Sequence, residues 1–320
     1  MIRKWLHSRE LPVAVLVVVL CIVISALSPS FLTATNIQNI LVTNSVLGMM
    51  AIGMMIIILT GGIDISVAAM LAFSSVVVGN YLLMPGADPF TVFLVGAGVG
   101  TLLGLINALL IVYGKIPPII ATLGTLSVFR GTILHYTNGE WVVGFPEWYG
   151  NLATAKILGI PLPFAVFLLI AACCSLLLNF TKLGRQIYAF GGNPDTAERI
   201  GINTKRLQLA VYVLMGFITG IAAVFYGSIQ GSVQPNAAIG FELSIIAAVV
   251  IGGTNVMGGS GTVIGTVFGV LLYAVIHNGL VLARVEAYWQ NVVVGVIILT
   301  VITVDAVNAR RKRQRKAVGA

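Results

Sequence analysis

Residues 179–207 read NFTKLGRQIYAFGGNPDTAERIGINTKRL and form one polar segment between two long apolar stretches. Five of the eighteen basic residues of the chain lie in this polar segment: Lys182, Arg185, Arg199, Lys205 and Arg206. The surroundings are apolar, since 58% of the 320 residues are hydrophobic and only 9% are charged. A soluble domain carries about 25% charged residues, so lipid rather than water is the predicted solvent for most of this chain.

Apolar runs follow one another on both sides of the polar segment. A transmembrane helix needs roughly 20 apolar residues, and ten segments approach that length or share that composition: Leu11–Leu27, Ile40–Thr60, Ile65–Met84, Phe90–Tyr113, Ile116–His135, Pro163–Leu178, Gln208–Gln230, Phe241–Ile251, Thr262–Leu282 and Tyr288–Val304. Phe241–Ile251 is too short to cross alone, and Pro117-Pro118 disturbs the start of the fifth segment; such irregular segments pack in protein or line a cavity. The predicted fold is an all-α polytopic membrane protein, one transmembrane domain over residues 1–320 with about ten helices.

The positions of the basic residues predict the orientation. If ten spans begin and end on one side, fifteen of the eighteen Lys and Arg lie on that side, leaving only Arg130, Lys156 and Arg284 elsewhere. Cytoplasmic loops are enriched in Lys and Arg, so both termini and the polar segment are predicted to be cytoplasmic. The first apolar run follows basic residues as in a signal peptide but is interpreted as a retained helix. The basic tail at 305–320 is interpreted as a membrane anchor, and no nucleic-acid partner is predicted.

A short helix is predicted inside the polar segment. Asn193 suits an N-cap, Pro194 the first helical position and Gly201 a stop, and acidic residues follow Pro194, where they favour a helix N-terminus. A helix of about two turns is not stable alone, so we expect it to dock on a partner protein. A solvated connecting loop is the alternative.

Two further segments are rich in glycine: the first glycine loop, Gly61–Val67 (GGIDISV), and the second glycine loop, Gly252–Gly261 (GGTNVMGGSG). The span count places both loops on the same side as the polar segment. They are predicted either to form part of a gate or ATPase contact, or to serve only as tight turns between helices. Asp64 is favoured as a helix cap over a role in the pathway. The second loop lacks the Lys-Ser/Thr ending of a phosphate-binding loop, so the chain itself is predicted to bind no ATP. The candidate residues are Gly61, Gly62, Asp64, Ser66, Gly252, Gly253, Gly258 and Gly259.

The polar segment and the two glycine loops together resemble those of bacterial ABC-importer permeases of the ribose and related monosaccharide type, and Ile119–Leu126 also agrees. The similarity runs from the first span to the last and is greatest to permeases for ribose, rhamnose and a furanosyl quorum signal. It implies an inner-membrane complex of two permease subunits, identical or similar, two cytosolic ATPases that hold ATP and Mg²⁺, and a periplasmic binding protein. It also implies that a coupling helix within the cytoplasmic loop at 179–207 contacts the ATPase through Asn193, Pro194, Asp195, Thr196, Ala197, Glu198, Arg199, Gly201 and Ile202.

Some polar residues lie within the apolar spans, where they either connect helices or line the solute pathway. Arg130 is expected to reach the membrane surface or to pair with Glu140 or Glu147. The aromatic segment Glu140–Tyr149 is predicted as an interfacial helix, serving as part of an aromatic belt or in docking of the periplasmic partner. The candidate pathway residues are Asn44, Asn107, Thr122, Thr125, Asn278 and Asn291.

Two other functional classes are weighed against the importer. An ion-coupled secondary transporter is expected to carry acidic residues or Lys deep in its spans, and mid-span carboxylates are essentially absent here. A membrane enzyme needs a convergent catalytic group, but the three histidines are scattered and the cysteines Cys21, Cys173 and Cys174 have no metal-ligand spacing. No catalytic or metal-binding residue is therefore predicted.

Overall fold

The computed structural model describes residues 11–286, 288–290, 292–293, 295–296, 299–300 and 303. The predicted span Tyr288–Val304 is thus described only in part, and Asn291, the N-terminal basic residues and the basic tail lie outside the described residues. Residues 11–286 form twelve helices and one hairpin: α1 (Leu11–Leu27), α2 (Ala34–Leu59), α3 (Val67–Leu82), α4 (Pro89–Val112), α5 (Pro118–Thr137), α6 (Glu147–Thr154), β1 (Lys156–Ile157), β2 (Ile160–Pro161), α7 (Leu162–Phe180), α8 (Lys182–Gly192), α9 (Pro194–Arg199), α10 (Thr204–Gln230), α11 (Phe241–Ile251) and α12 (Val263–Leu282).

Five of the described helices, α2, α4, α7, α10 and α12, are long and apolar enough to cross a bilayer. Three more, α1, α3 and α11, are apolar but shorter. The all-α polytopic class is confirmed, and α1 and α11 have the predicted bounds. The largest difference is in α2, which begins at Ala34 rather than Ile40 because the Thr33 hydroxyl accepts a hydrogen bond from the Asn36 backbone N–H.

Helix α2 lies at the centre of the bundle. Every residue from Ser45 to Leu59 is buried, which requires neighbours on all sides. Those neighbours are α7, α10, α11 and α12. The apolar core extends from α2 into α10, where Met215, Ile218 and Phe225 are also buried.

Helices α4 and α10 pack with their backbones in contact. Gly96, Gly100 and Gly104 are spaced four residues apart on α4, so they share one face of that helix. A Cβ atom on Gly100 would overlap the Gly216 carbonyl oxygen and lie 2.7 Å from the Gly220 Cα. Small residues let transmembrane helices approach this closely. The glycines therefore allow α4 and α10 to pack in direct backbone contact.

The end of the bundle away from the polar segment is closed by loops that hydrogen-bond to one another. Val142 and Val233 form an antiparallel bridge between residues 138–146 and the loop after α10. Arg130 donates from Nη1 to the carbonyl oxygens of Pro235 and Ala237, at 2.9 and 2.7 Å. The predicted pairing of Arg130 with Glu140 or Glu147 is therefore wrong; the guanidinium holds the loop that precedes α11.

The predicted helix over Glu140–Tyr149 is shifted in the structure. Residues 140–146 contain no helix, and α6 begins only at Glu147, directly after Pro146. Proline disfavours helical backbone in the residue before it, which explains the late start. Tyr149 then donates to the Val224 carbonyl and accepts, through its own carbonyl, from Ser228, both at 2.6 Å. These bonds hold α6 against the end of α10.

Candidate functional site

The two glycine loops and the polar segment meet at one place in the fold, which we call the glycine junction. The Gly259 N–H donates to the Leu59 carbonyl, at 2.9 Å. A Cβ atom on Gly258 would lie 3.0 Å from both the Gly61 nitrogen and the Gly191 carbonyl oxygen. Three segments that are far apart in sequence therefore contact each other through their backbones.

Glycine is required at this junction for two separate reasons. Gly258 and Gly259 have φ values of +86° and +74°, in the left-handed region that glycine enters without strain. Gly191 has ordinary helical backbone, but a Cβ there would overlap the Leu59 carbonyl oxygen and lie 2.7 Å from the Gly259 nitrogen. The junction is thus a contact of bare backbones, with no flexible side chain between them to absorb a displacement.

The polar segment approaches the junction as a helix that the sequence reasoning missed, α8. The Thr181 hydroxyl caps it by accepting from the Gly184 N–H, at 3.1 Å, and Ile187 and Phe190 are buried. The Tyr188 hydroxyl donates to the Gly261 carbonyl at the end of the second glycine loop, at 2.8 Å. The three- and four-residue spacing of Leu183, Ile187 and Phe190 was the available signal for this helix.

Helix α9 has the local structure predicted for the polar segment. Asn193 is its N-cap and accepts from the Thr196 N–H at 3.0 Å, and Pro194 occupies the first helical position. Gly201, with φ of +85°, ends the turn, and its N–H donates to the Glu198 carbonyl at 3.0 Å. The helix has six residues, about 1.7 turns at 3.6 residues per turn, which agrees with the prediction of about two turns.

The surface of α9 is available to a partner. Among its residues only Ala197 is buried, so Asp195, Glu198 and Arg199 all present their charges to solvent. Exposed apolar side chains accompany these charges: Ile200 is 68% exposed, and Met257 of the second glycine loop is 80% exposed. Apolar residues among charged ones on a rigid surface are typical of protein contacts.

The second glycine loop is held by its own hydrogen bonds. Asn255 accepts from the Met257 N–H through its side chain, at 3.1 Å, and from the Gly258 N–H through its carbonyl, at 2.9 Å. Gly252 packs on α12, where an added Cβ would lie 2.8 Å from the Thr266 Cα. Gly253 has φ of +88°. The loop is therefore a fixed structure rather than a flexible connection.

The first glycine loop contains a buried carboxylate. Asp64 is fully buried and accepts from the Ser66 N–H at 2.9 Å, the Ser66 hydroxyl at 2.6 Å and the Asn107 side chain at 3.1 Å. Burial raises the pKa of the Asp64 carboxyl to about 6, against the opposing effect of these hydrogen bonds. The N-cap residue of α3 is Ser66, not Asp64 as predicted. The Asp64 carboxylate instead stabilises the turn that precedes α3, through its hydrogen bonds to Ser66. Gly62, in the same turn as Asp64, packs against the Tyr212 hydroxyl of α10.

The hydrogen bonds of Asp64 continue into α4 and α5. The Asn107 side chain accepts from the Thr125 hydroxyl at 2.6 Å. The Thr122 hydroxyl accepts from the Ile65 N–H at 3.2 Å. Asn107, Thr122 and Thr125 are all buried. This polar network joins the first glycine loop to both helices.

Two other candidate pathway residues also make contacts within the subunit. The Asn44 side chain donates to the Ile40 carbonyl of its own helix, at 2.9 Å. Asn278 of α12 exchanges two side-chain hydrogen bonds with Asn36 of α2, at 2.9 and 3.0 Å. The pathway role of these residues and of the polar network stays a prediction.

The chain is similar to known membrane permeases along most of its length. The profile of the family described as "Branched-chain amino acid transport system / permease component" matches residues 36–302. The ribose import permease protein of Bacillus subtilis is 42% identical over 90% of this chain and 89% of its own length. No solved structure matches the chain.

Relatives that are named for other solutes are nearly as similar. The D-allose transport system permease protein of Escherichia coli is 38% identical over 88% of this chain and 87% of its own length. The autoinducer 2 import system permease protein of Klebsiella pneumoniae is 33% identical over 95% of this chain and 88% of its own length. The names of these similar proteins thus include ribose, D-allose and autoinducer 2 as solutes.

Proposed function

Because this chain belongs to the family of branched-chain amino acid transport system permease components, we propose that it is the membrane-spanning translocation subunit of an ATP-driven importer. The solute is a monosaccharide or a sugar-like molecule, since the similar permeases are named for ribose, allose and autoinducer 2. A periplasmic binding protein delivers the solute, and the subunit works with a second permease subunit, the same or similar. ATP and Mg²⁺ bind to a separate cytosolic ATPase.

The observation that carries this proposal is the glycine junction behind α9. A short helix transmits a push from a partner only if it is fixed at its base. The base of α9 is fixed, because Gly191 of the preceding α8 lies against the Leu59 carbonyl at the end of α2 and against the Gly259 nitrogen of the second glycine loop. In addition, the Tyr188 hydroxyl donates to the Gly261 carbonyl. We infer that α9 is the coupling helix, which docks on the ATPase and passes its closure to the bundle as a rigid-body movement.

The arrangement in the membrane follows from the charges. Ten spans with both termini in the cytoplasm place fifteen of the eighteen basic residues on the cytoplasmic side of the bacterial inner membrane. The short helix α11 (Phe241–Ile251) is then one of the irregular spans, supported by α12 and α2. In this arrangement the glycine junction and α9 face the cytosol.

The experiment that tests this function is uptake by vesicles that contain the chain, its ATPase and its binding protein. We expect radiolabelled ribose or allose to accumulate when ATP is supplied, whether or not an ion gradient is present. Uptake that persists after ATP depletion and stops when the ion gradient is dissipated would show an ion-coupled transporter instead.

A charge reversal on α9 tests the coupling assignment. Asp195→Lys combined with Arg199→Glu keeps the net charge and reverses the local charge pattern. We expect binding to the ATPase to weaken by roughly 1–2 kcal/mol, a factor of about five to thirty, with normal membrane insertion. Co-purification of the ATPase and uptake measure the effect.

The matched control for this reversal lies at the other end of the bundle. Glu140→Lys combined with Lys156→Glu also leaves the net charge unchanged, and both residues are exposed. This control should bind the ATPase as the native protein does. The coupling assignment fails if the reversed α9 pulls down the ATPase at normal strength and imports normally.

A further inference from the structure

The Tyr212 hydroxyl of α10 is buried and forms no hydrogen bond within the part of the chain that the structure describes. The whole Tyr212 residue is only 2% exposed, so bulk water does not reach the hydroxyl. Buried polar groups in native proteins are hydrogen-bonded with few exceptions, and an unpaired one costs free energy. The Tyr212 hydroxyl therefore requires a physical explanation.

This hydroxyl lies against the first glycine loop. A Cβ atom on Gly62 would lie 2.7 Å from the Tyr212 hydroxyl oxygen, and Gly62 precedes Asp64 by two residues. The hydroxyl is also within electrostatic range of the Asp64 carboxylate. A buried donor without a partner thus lies near a buried carboxylate, which is a strong acceptor.

The Asp64 carboxylate can accept one more hydrogen bond. An ionised carboxylate offers about four acceptor positions. From the described residues, Oδ1 of Asp64 accepts two bonds, from the N–H and the hydroxyl of Ser66, whereas Oδ2 accepts one, from the Asn107 side chain. One acceptor position on Oδ2 is therefore left for the Tyr212 hydroxyl.

Tyr212 and the first glycine loop are held by different parts of the fold. The backbone of Tyr212 is fixed against α4, because a Cβ atom on Gly104 would overlap the Tyr212 carbonyl oxygen. The loop instead follows Leu59, whose carbonyl accepts from the Gly259 N–H at the glycine junction. A movement of the junction therefore displaces the loop relative to the α4–α10 pair, which carries both Asn107 and Tyr212.

We propose that Tyr212 is a positioning residue for transport: its hydroxyl donates to Asp64 in a second state of the transport cycle and holds the first glycine loop in that state. In the state that the structure shows, Ser66 and Asn107 bind the carboxylate and the Tyr212 hydroxyl is unpaired. When the ATPase moves the glycine junction, Asp64 Oδ2 gains the Tyr212 hydroxyl. The inference rests on the proposed function and names a residue that stabilises one of its states.

Removal of the hydroxyl alone tests this role in the full complex. Tyr212→Phe keeps the ring and its packing, so the variant should assemble as the native complex does. We expect ATP-driven uptake to fall about tenfold or more, which corresponds to the loss of one hydrogen bond to a charged group. Tyr212→4-aminophenylalanine places an N–H donor where the hydroxyl was, and it should restore most of the uptake.

Thermal stability distinguishes a positioning role from a merely structural one. The midpoint of thermal unfolding of the complex in detergent is measured without nucleotide and with an ATP analogue that resists hydrolysis. Tyr212→Phe should lower this midpoint by roughly 3 °C or more in one of the two conditions and leave it equal or raised in the other. A hydroxyl with a permanent partner would affect both conditions alike.

The matched control is a tyrosine whose hydroxyl is already paired. The Tyr273 hydroxyl of α12 donates to the Ser244 hydroxyl of α11, at 3.1 Å. Tyr273→Phe removes the same atom from the same type of side chain. It should change the midpoint equally with and without the ATP analogue, and uptake per assembled complex should stay normal.

The outcomes separate this inference from the proposed function. Normal uptake by Tyr212→Phe, or no recovery of uptake in Tyr212→4-aminophenylalanine, would overturn the role of Tyr212. So would an equal change of the midpoint in both conditions, since that indicates a permanent partner such as a buried water molecule. Failure of the native complex to import with ATP would instead remove the proposed function, whereas native import together with normal import by Tyr212→Phe removes only the inference.

Discussion

Gly191→Ala is expected to lower solute uptake by about ten- to a hundredfold, although it adds a single methyl group. The methyl group would overlap the Leu59 carbonyl oxygen and lie 2.7 Å from the Gly259 nitrogen, two atoms that are hydrogen-bonded to each other. Backbone atoms cannot rotate away as a side chain can, so the polar segment must separate from the end of α2 and from the second glycine loop. Overpacking of this kind costs about 1–3 kcal/mol, and each 1.4 kcal/mol corresponds to about a factor of ten.

The neighbouring residue is the matched control. Gly192 lies in the same helix, but a Cβ there has nothing within 4 Å. Alanine is favoured over glycine in a helix by about 1 kcal/mol, so Gly192→Ala should import normally and be slightly more stable. The measurement is ATP-driven uptake together with ATP hydrolysis. We expect hydrolysis to continue in Gly191→Ala without matching uptake, and equal uptake by the two variants would show that the junction does not transmit force.

Gly100→Leu is expected to have the largest effect on stability. Its side chain would enter the contact between α4 and α10, where the nearest atoms, the Gly216 oxygen and the Gly220 nitrogen and Cα, all belong to backbone. The two helices must then move apart along their length. The expected loss is about 3 kcal/mol or more, at the upper end for overpacked cores.

The control for Gly100 lies two residues earlier on the same helix. Gly98 is exposed and has open space around it, so Gly98→Leu should be as stable as the native protein or slightly more stable. Thermal unfolding in detergent, followed by the loss of the monodisperse peak in size-exclusion chromatography, compares the two variants. Equal midpoints would mean that the close approach of α4 and α10 contributes little to stability.

Hydropathy was sufficient to predict most of the described helices, because a helix in lipid must be apolar along its whole length. The bounds of Leu11–Leu27 and Phe241–Ile251 agree with the structure to the residue. The N-cap at Asn193, with Pro194 at the first helical position and Gly201 after the helix, could also be predicted, because capping depends only on neighbouring residues. Both the helix bounds and the cap at Asn193 depend only on residues that are close in sequence.

Features that depend on distant contacts could not be predicted in this way. Three glycines in α8 lower its helix propensity, and the reason for Gly191 is visible only when Leu59 and Gly259 lie beside it. The carbonyl partners of Arg130 lie more than a hundred residues away along the chain, so nearby acidic residues were the natural but wrong choice. Thr122 and Thr125 lie on the buried face of α5, whereas Ser127 and Gly131 of the same helix are exposed, and only the packing of the helix separates the two pairs.

The coupling mechanism requires the polar segment to lie in the cytosol, where an ATPase can reach α9. Thr196 is exposed on α9, and Thr196→Cys in a chain without its native cysteines reports the side directly. We expect a membrane-impermeant thiol reagent to label this cysteine in inside-out vesicles and to leave it unlabelled in intact spheroplasts. Labelling in intact spheroplasts would place α9 outside the cell and contradict the coupling mechanism.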